Sequence, residues 1–199
     1  MEKVFVIGGM GSGKSTVLEA LVDEGLFCID LDKVGHALLH EAAVKSAIAD
    51  TFGADVLDED GEVVRFELAR RAFADNGETR KLNGIMHPRI EDALKEQLGR
   101  LEAQGCRAVV IEFSAFEDRS MPIARLADTV VAVVAPLQTR VDRAIAAGFD
   151  EEDVRRRIDR QIADDERIRQ ADVVFENDGT KEELYSKVRT WWKRFTATA

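Results

Sequence analysis

Residues 8–15, GGMGSGKS, set a lysine and a hydroxyl directly behind a glycine-rich run, in the spacing G-x-x-x-x-G-K-[ST]. Glycines let consecutive backbone amides turn toward one anion with no Cβ in the way. Lys14 adds a point charge, and Ser15 adds a hydroxyl suited to Mg²⁺. The pattern predicts a phosphate-binding loop for a nucleotide, made by Gly9, Met10, Gly11, Ser12, Gly13, Lys14, Ser15 and Thr16. A second group follows in DLD, where Asp30 and Asp32 end an apolar run. One carboxylate could accept the proton of an attacking alcohol while the other orients Mg²⁺ through water. Either could instead cap the helix expected from about Lys33. The third group is arginine: positions 140, 143, 155, 156, 157, 160, 167 and 169, sharing the stretch 138–169 with nine acidic residues. Most of these are expected to form i,i+4 pairs on a wet helical face, with one or two left to meet a transferring phosphoryl group.

Such groups work only if the chain positions them. KVFVIG (Lys3–Gly8) is a continuous apolar strand, and a helix is expected from Ser15 to Glu24, so the glycine loop is a strand-to-helix turn. The helix start adds unpaired amides and a favourable dipole for the anion. Further strands are expected at Leu26–Asp30, Arg107–Phe113, Thr129–Ala135 and Asp172–Asn177. If Asp30 and Asp32 both lie on the second strand they point to the same side, near the loop, because ligands gather at the carboxyl ends of parallel strands. Residues 33–104 read as a helical insertion broken at Asp58–Gly61, Asp75–Gly77 and Pro88. Helices are expected at Leu137–Ala147, Glu151–Ala163 and Lys181–Phe195, with Trp191 and Trp192 covering the core. The expected architecture is a three-layer α/β fold with a five-stranded parallel sheet. Its core comes from 1–32, 105–136 and 170–199, and an arginine-rich lid occupies 137–169.

The 199 residues suffice for one well-filled core, and 45% hydrophobic with 33% charged residues excludes a disordered chain. A formal charge of −10 argues against nucleic acid or anionic lipid as a partner. The apolar runs are too short to span a membrane. The expectation is a cytoplasmic protein with no obligate protein partner and with Cys28 and Cys106 buried as small hydrophobes. The guanine-selecting N-K-x-D signature is missing, and DEDG lies in a turn-rich helical region, which disfavours a GTPase. His36 and His40 share a helical face, but no third ligand with metal spacing accompanies them.

Taken in order, GGMGSGKS, IDLDKVGH (29–36), FGADVLDEDGEVVRFELARRAF (52–73), IMHPRI (85–90), RIDRQ (157–161) and QADVVFENDG (170–179) resemble the dephospho-CoA kinase family over residues 4 to about 190. The resemblance implies a nucleotide-monophosphate-kinase-like core that moves the γ-phosphoryl of ATP to the ribose 3′-hydroxyl of dephospho-CoA with Mg²⁺. It implies Asp32 as general base, with Asp30 beside it in the acceptor site. It further implies His87, Arg140, Arg157 and Gln161 at the substrate, Arg143 on the phosphoryl group and Asn177 on the adenine side. Two departures stand out. Ala147 occupies the place of a second lid arginine, which leaves that charge to Arg155, Arg157 or Arg160. IEFSAFED replaces an Asp followed by a Pro-Leu-Leu run, so Glu112 would serve Mg²⁺ with a longer reach and the acceptor pocket would differ. The alternatives are a diverged nucleoside or nucleotide kinase, and an ATP-responsive regulatory protein that transfers nothing.

Overall fold

The computed structural model describes residues 1–198. Its strands are β1 (Glu2–Gly8), β2 (Phe27–Asp30), β3 (Ala108–Glu112), β4 (Thr129–Val134) and β5 (Val173–Glu176). They form one parallel sheet in the order β2-β3-β1-β4-β5. β1 lies in the middle, Val4 pairing with Val110 on one side and Thr129 on the other. Val4 to Ile7 are all fully buried, as a parallel strand covered on both faces requires.

The chain divides into two compact units, one of residues 1–30 with everything from Gly105 onward, the other Leu31–Gln104. In the first, α1 (Lys14–Asp23) and α9 (Lys181–Thr198) cover one sheet face through Val17, Leu21, Leu184, Val188 and Trp192. Trp191 meets Phe175 edge-to-face, with ring centroids 5.7 Å apart, so both tryptophans serve the core as expected. The IEFSAFED departure is also packing: Phe113 and Phe116 are buried, and Phe5, Phe113 and Phe116 form an edge-to-face series.

After β4 come α6 (Leu137–Ala146), α7 (Glu151–Asp159) and α8 (Asp164–Gln170). The helix expected to run to Ala163 therefore stops four residues earlier. Three acids, Asp164, Asp165 and Glu166, begin α8, where the helix dipole favours negative charge and rewards a fresh start. α6 and α7 close on Val141, Ala144 and Val154, against which Met10 and Ile158 pack.

The second unit is helical, as expected: α2 (Leu31–Leu38), α3 (Ala42–Phe52), α4 (Arg65–Ala72) and α5 (Asn76–Ala103). Val44, Ile48, Phe52, Val56, Leu68, Ala72 and Met86 form its core. Asp58 makes the expected turn, its carboxylate accepting from the amides of Asp60 and Glu62. Three expectations need correction. α2 starts at Leu31, directly after β2, so Asp30 and Asp32 do not share a strand and the two-residue alternation does not relate them. The break expected at Asp75–Gly77 is present but lies at residues 73–75, between α4 and α5, where Asp75 caps α5 by accepting from the amides of Gly77 and Glu78. Pro88 lies inside α5. The Arg89 guanidinium donates to the Ile85 carbonyl at 2.6 Å beside the proline, and Leu82, Ile85, Met86 and Ile90 keep both halves of the helix on one core.

The cysteines also depart from expectation. Cys28 is exposed because β2 is an edge strand, and Cys106 is half-buried just before β3. Among the described residues, no helix is long and apolar enough to cross a membrane.

Candidate active site

The glycine loop joins the carboxyl end of the central strand to α1, which begins one residue earlier than expected, at Lys14. Gly13 precedes it in the left-handed region at φ 101°, and Gly11 has φ 73°, conformations that L side chains rarely adopt. The loop closes on itself through the Ser12 amide to the Gly9 carbonyl, and α1 starts with the Thr16 amide on the Gly13 carbonyl. Ser12 is fully buried, and its hydroxyl, packed against Gly8, has no hydrogen-bond partner among the described residues. Ser15 is exposed.

Lys14 Nζ lies 3.5 Å from the Gly9 carbonyl and 3.9 Å from Glu112 Oε1. Glu112 ends β3 and Asp30 ends β2, directly opposite each other in the parallel register. Two neighbouring carboxylates beside a lysine make an all-oxygen, hard-donor edge that calls for a counter-cation and suits Mg²⁺. No cluster of three or more His, Cys, Asp or Glu side chains forms a metal cage among the described residues.

Two side-chain systems grip the loop. On one side, Asn177, buried just after β5, donates from Nδ2 to the Ser12 carbonyl at 2.8 Å. Arg143 on α6 donates to the Asn177 and Gly179 carbonyls, both at 3.2 Å. A Cβ on Gly13 would come within 2.2 Å of Asn177 Nδ2. On the other side, Arg140 of α6 donates from Nε to the Met10 carbonyl at 3.0 Å, and Gln161 Oε1 accepts from the Met10 amide at 2.9 Å. Arg140, expected at the substrate, is therefore buried on the loop's own backbone, and half-buried Gln161 turns its side-chain oxygen to the same backbone.

Arg160 is exposed at the C-terminal end of α7, and the other remaining arginines divide in two. Arg155, Arg156, Arg157 and Arg169 pair with acids three or four residues away on exposed helix faces, as expected. Arg157 also stands 5.9 Å over the Phe149 ring. Arg167 is 2% exposed and donates to Asp164 Oδ1 at 2.6 Å, while Arg140 Nη1 reaches Asp164 Oδ2 at 3.1 Å. Burial lowers the Arg167 guanidinium from its ordinary value, opposed by the Asp164 hydrogen bond. The sequence reading missed Asp164 and treated Arg167 as surface. The signal available was the i,i+3 spacing of DDER, which is identical for an exposed pair and a buried one.

In the second unit, Asp32 is exposed in the first turn of α2 and His87 is half-buried in the middle of α5. His36 Nε2 lies 2.8 Å from Arg65 Nη2, and an arginine only donates, so that nitrogen carries the lone pair.

The dephospho-CoA kinase family model matches residues 3–183. A dephospho-CoA kinase of Corynebacterium glutamicum is 36% identical over 189 residues, covering 94% of each chain. The Aquifex aeolicus enzyme of that name is 30% identical over 98% of each. Among solved structures, TT1252 from Thermus thermophilus superposes with a TM-score of 0.81 at 27% identity, covering 97% of both chains. A dephospho-CoA kinase from Campylobacter jejuni, at 23% identity and TM-score 0.74, shares the fold. With its glycine loop on the central strand of a five-stranded parallel sheet, the chain belongs to the dephospho-CoA kinase family and is an ATP-dependent kinase of coenzyme A biosynthesis.

Proposed function

We propose that the protein transfers the γ-phosphoryl group of Mg·ATP to the ribose 3′-hydroxyl of dephospho-CoA, with Asp32 as the general base. The observation that carries this reading is the carboxyl edge of the sheet, where the glycine loop, Lys14, Glu112 and Asp30 stand together. The hydroxyl oxygen forms a bond to the γ-phosphorus as the bond to the β,γ-bridging oxygen breaks. The hydroxyl proton goes to the Asp32 carboxylate, and ADP leaves. The loop amides of Gly11, Gly13, Lys14 and Ser15 and the Lys14 ammonium hold the phosphates.

Ser15, Glu112 and Asp30 are the residues that would hold Mg²⁺, which when bound neutralises charge on the phosphate oxygens. Arg143, whose present partners are mostly backbone carbonyls, is assigned to the transferring phosphoryl group. Asn177 borders the nucleotide through its grip on Ser12. Residues 33–104, His87 among them, are assigned to the acceptor, and residues 137–169 to a lid that excludes water. Arg157 at the lid surface would reach the acceptor.

Purified protein incubated with Mg·ATP and dephospho-CoA forms CoA, measured by chromatography. Asp32→Asn retains ATP binding and loses about 100-fold or more in turnover, the range of a general base. Absence of acceptor-dependent CoA from folded protein rejects the reading, and an unchanged rate in the Asp32 variant rejects its role.

A further inference from the structure

Met10 stands between two glycines, and every part of it is held. Its amide donates to Gln161 Oε1 at 2.9 Å, and its carbonyl accepts from Arg140 Nε at 3.0 Å. Its side chain packs on the cluster of Val141, Ala144, Val154 and Ile158. Arg140 Nη2 also reaches Gln161 Oε1 at 3.3 Å, so one amide oxygen serves both the loop and the arginine. Behind it, Asp164 binds Arg140 with one oxygen and Arg167 with the other. Both arginines are buried, and one carboxylate serves the two.

We propose that Gln161 and Asp164 are positioning residues for nucleotide binding, fixing the phosphate loop through the Met10 peptide. Gly9 and Gly11 explain why the loop needs them. A Cβ at Gly9 would lie 1.9 Å from Arg140 Nη2, and one at Gly11 would lie 2.2 Å from the Arg140 carbonyl. The α6 backbone thus approaches so closely that only glycine fits at position 11, and a side chain at position 9 would displace the Arg140 guanidinium. Glycine carries the largest backbone freedom of any residue, and each one left mobile must be ordered when the phosphates bind. Locking the peptide between them removes that cost beforehand, which is the general advantage of a preorganised site. The Met10 amide is spent on Gln161, so the amides that meet the phosphates are those that follow it. Asp164 acts at one further remove: it holds Arg140 in the rotamer that reaches Met10 and neutralises a charge that burial would otherwise penalise.

This inference rests on the nucleotide-binding reading of the loop, so ATP affinity is measured without acceptor, by titration of the whole chain. Gln161→Leu removes the acceptor for Met10 and Arg140, and Asp164→Asn keeps the shape but not the charge. Each raises the Kd for ATP about tenfold, the size of a lost charge-assisted hydrogen bond. Because both act through Arg140, the double variant falls well short of the product of the two. Hydrogen exchange at the Met10 amide in the nucleotide-free protein is slow in the wild type and fast in Gln161→Leu, and Gln161→Glu restores the protection. Gln161→Leu leaves the arginine–aspartate pairs intact and carries the test if Asp164→Asn does not fold. Unchanged ATP affinity in Gln161→Leu, or equal Met10 exchange in wild type and variant, overturns the proposal. A folded wild type that binds no ATP overturns the kinase reading instead.

Discussion

Gly13 shows how one missing Cβ serves both backbone and packing. Its φ of 101° is the left-handed region, which costs an ordinary residue about 1–2 kcal/mol, and Asn177 Nδ2 occupies the space a methyl group would need. Gly13→Ala is expected to weaken ATP binding by more than about tenfold, because the strain falls where loop and helix meet. Gly25, with φ 96° and nothing within 4 Å of its Cβ position, is the control. Gly25→Ala lowers the melting temperature and leaves ATP affinity unchanged, and equal losses of affinity in the two would refute the account. The glycines, Lys14 and Ser15 were legible in the sequence because their chemistry is tied to a fixed local spacing. The directions of Arg140 and Gln161 were not. Both lie far along the chain from Met10, and an arginine on a charged helix reads the same whether it faces water or a neighbouring loop.

Three carboxylates in the insertion, one of them a helix cap, are shifted in the direction that makes its stability depend on pH. The Asp75 carboxyl is held below its ordinary value by the amides of Glu78 and Gly77. Asp55 is lowered chiefly by the hydrogen bond from Arg71, and Glu62 by those from Lys45 and then His40. In each case the folded state favours the ionised form, so the stabilisation is present above the ordinary carboxylate range near pH 4 and is lost as pH falls through the lower folded values. Asp75→Ala is expected to lower the melting temperature by a few degrees at pH 7. The difference from wild type should shrink toward pH 3, as thermal scans at both pH values would show, and a constant difference would argue against this cause. Most elements were readable from apolar periodicity and turn residues. α5 was not, because proline normally marks a boundary, and its continuity rests on a core shared by both halves. The start of α2 was hidden for a related reason: β2 passes into helix without a loop, so no turn signal separates them.

Across the whole chain, the sheet order separates local from distant assembly. β1 pairs with β3 and β4, so Glu2 finds its partner only at Ala108. The helical unit between them has a core built from Leu38, Val44, Ile48, Phe52, Leu68 and Met86, all of its own sequence. Contacts between nearby residues form faster than those that close long spans. Pulsed hydrogen exchange during refolding should therefore protect amides of residues 42–103 before those of Val4–Ile7, and simultaneous protection would exclude this order. The α/β class and the parallel sheet could be anticipated from strands alternating with helices. The spatial order of the strands could not, since pairing partners lie outside any local window.

The grip on Met10 and Ser12 comes from Gln161 and Asn177, in the last quarter of the chain. The glycine loop is therefore synthesised well before the side chains that brace it. A growing chain accordingly holds nucleotide less tightly until residues 161–177 have followed and the loop is braced.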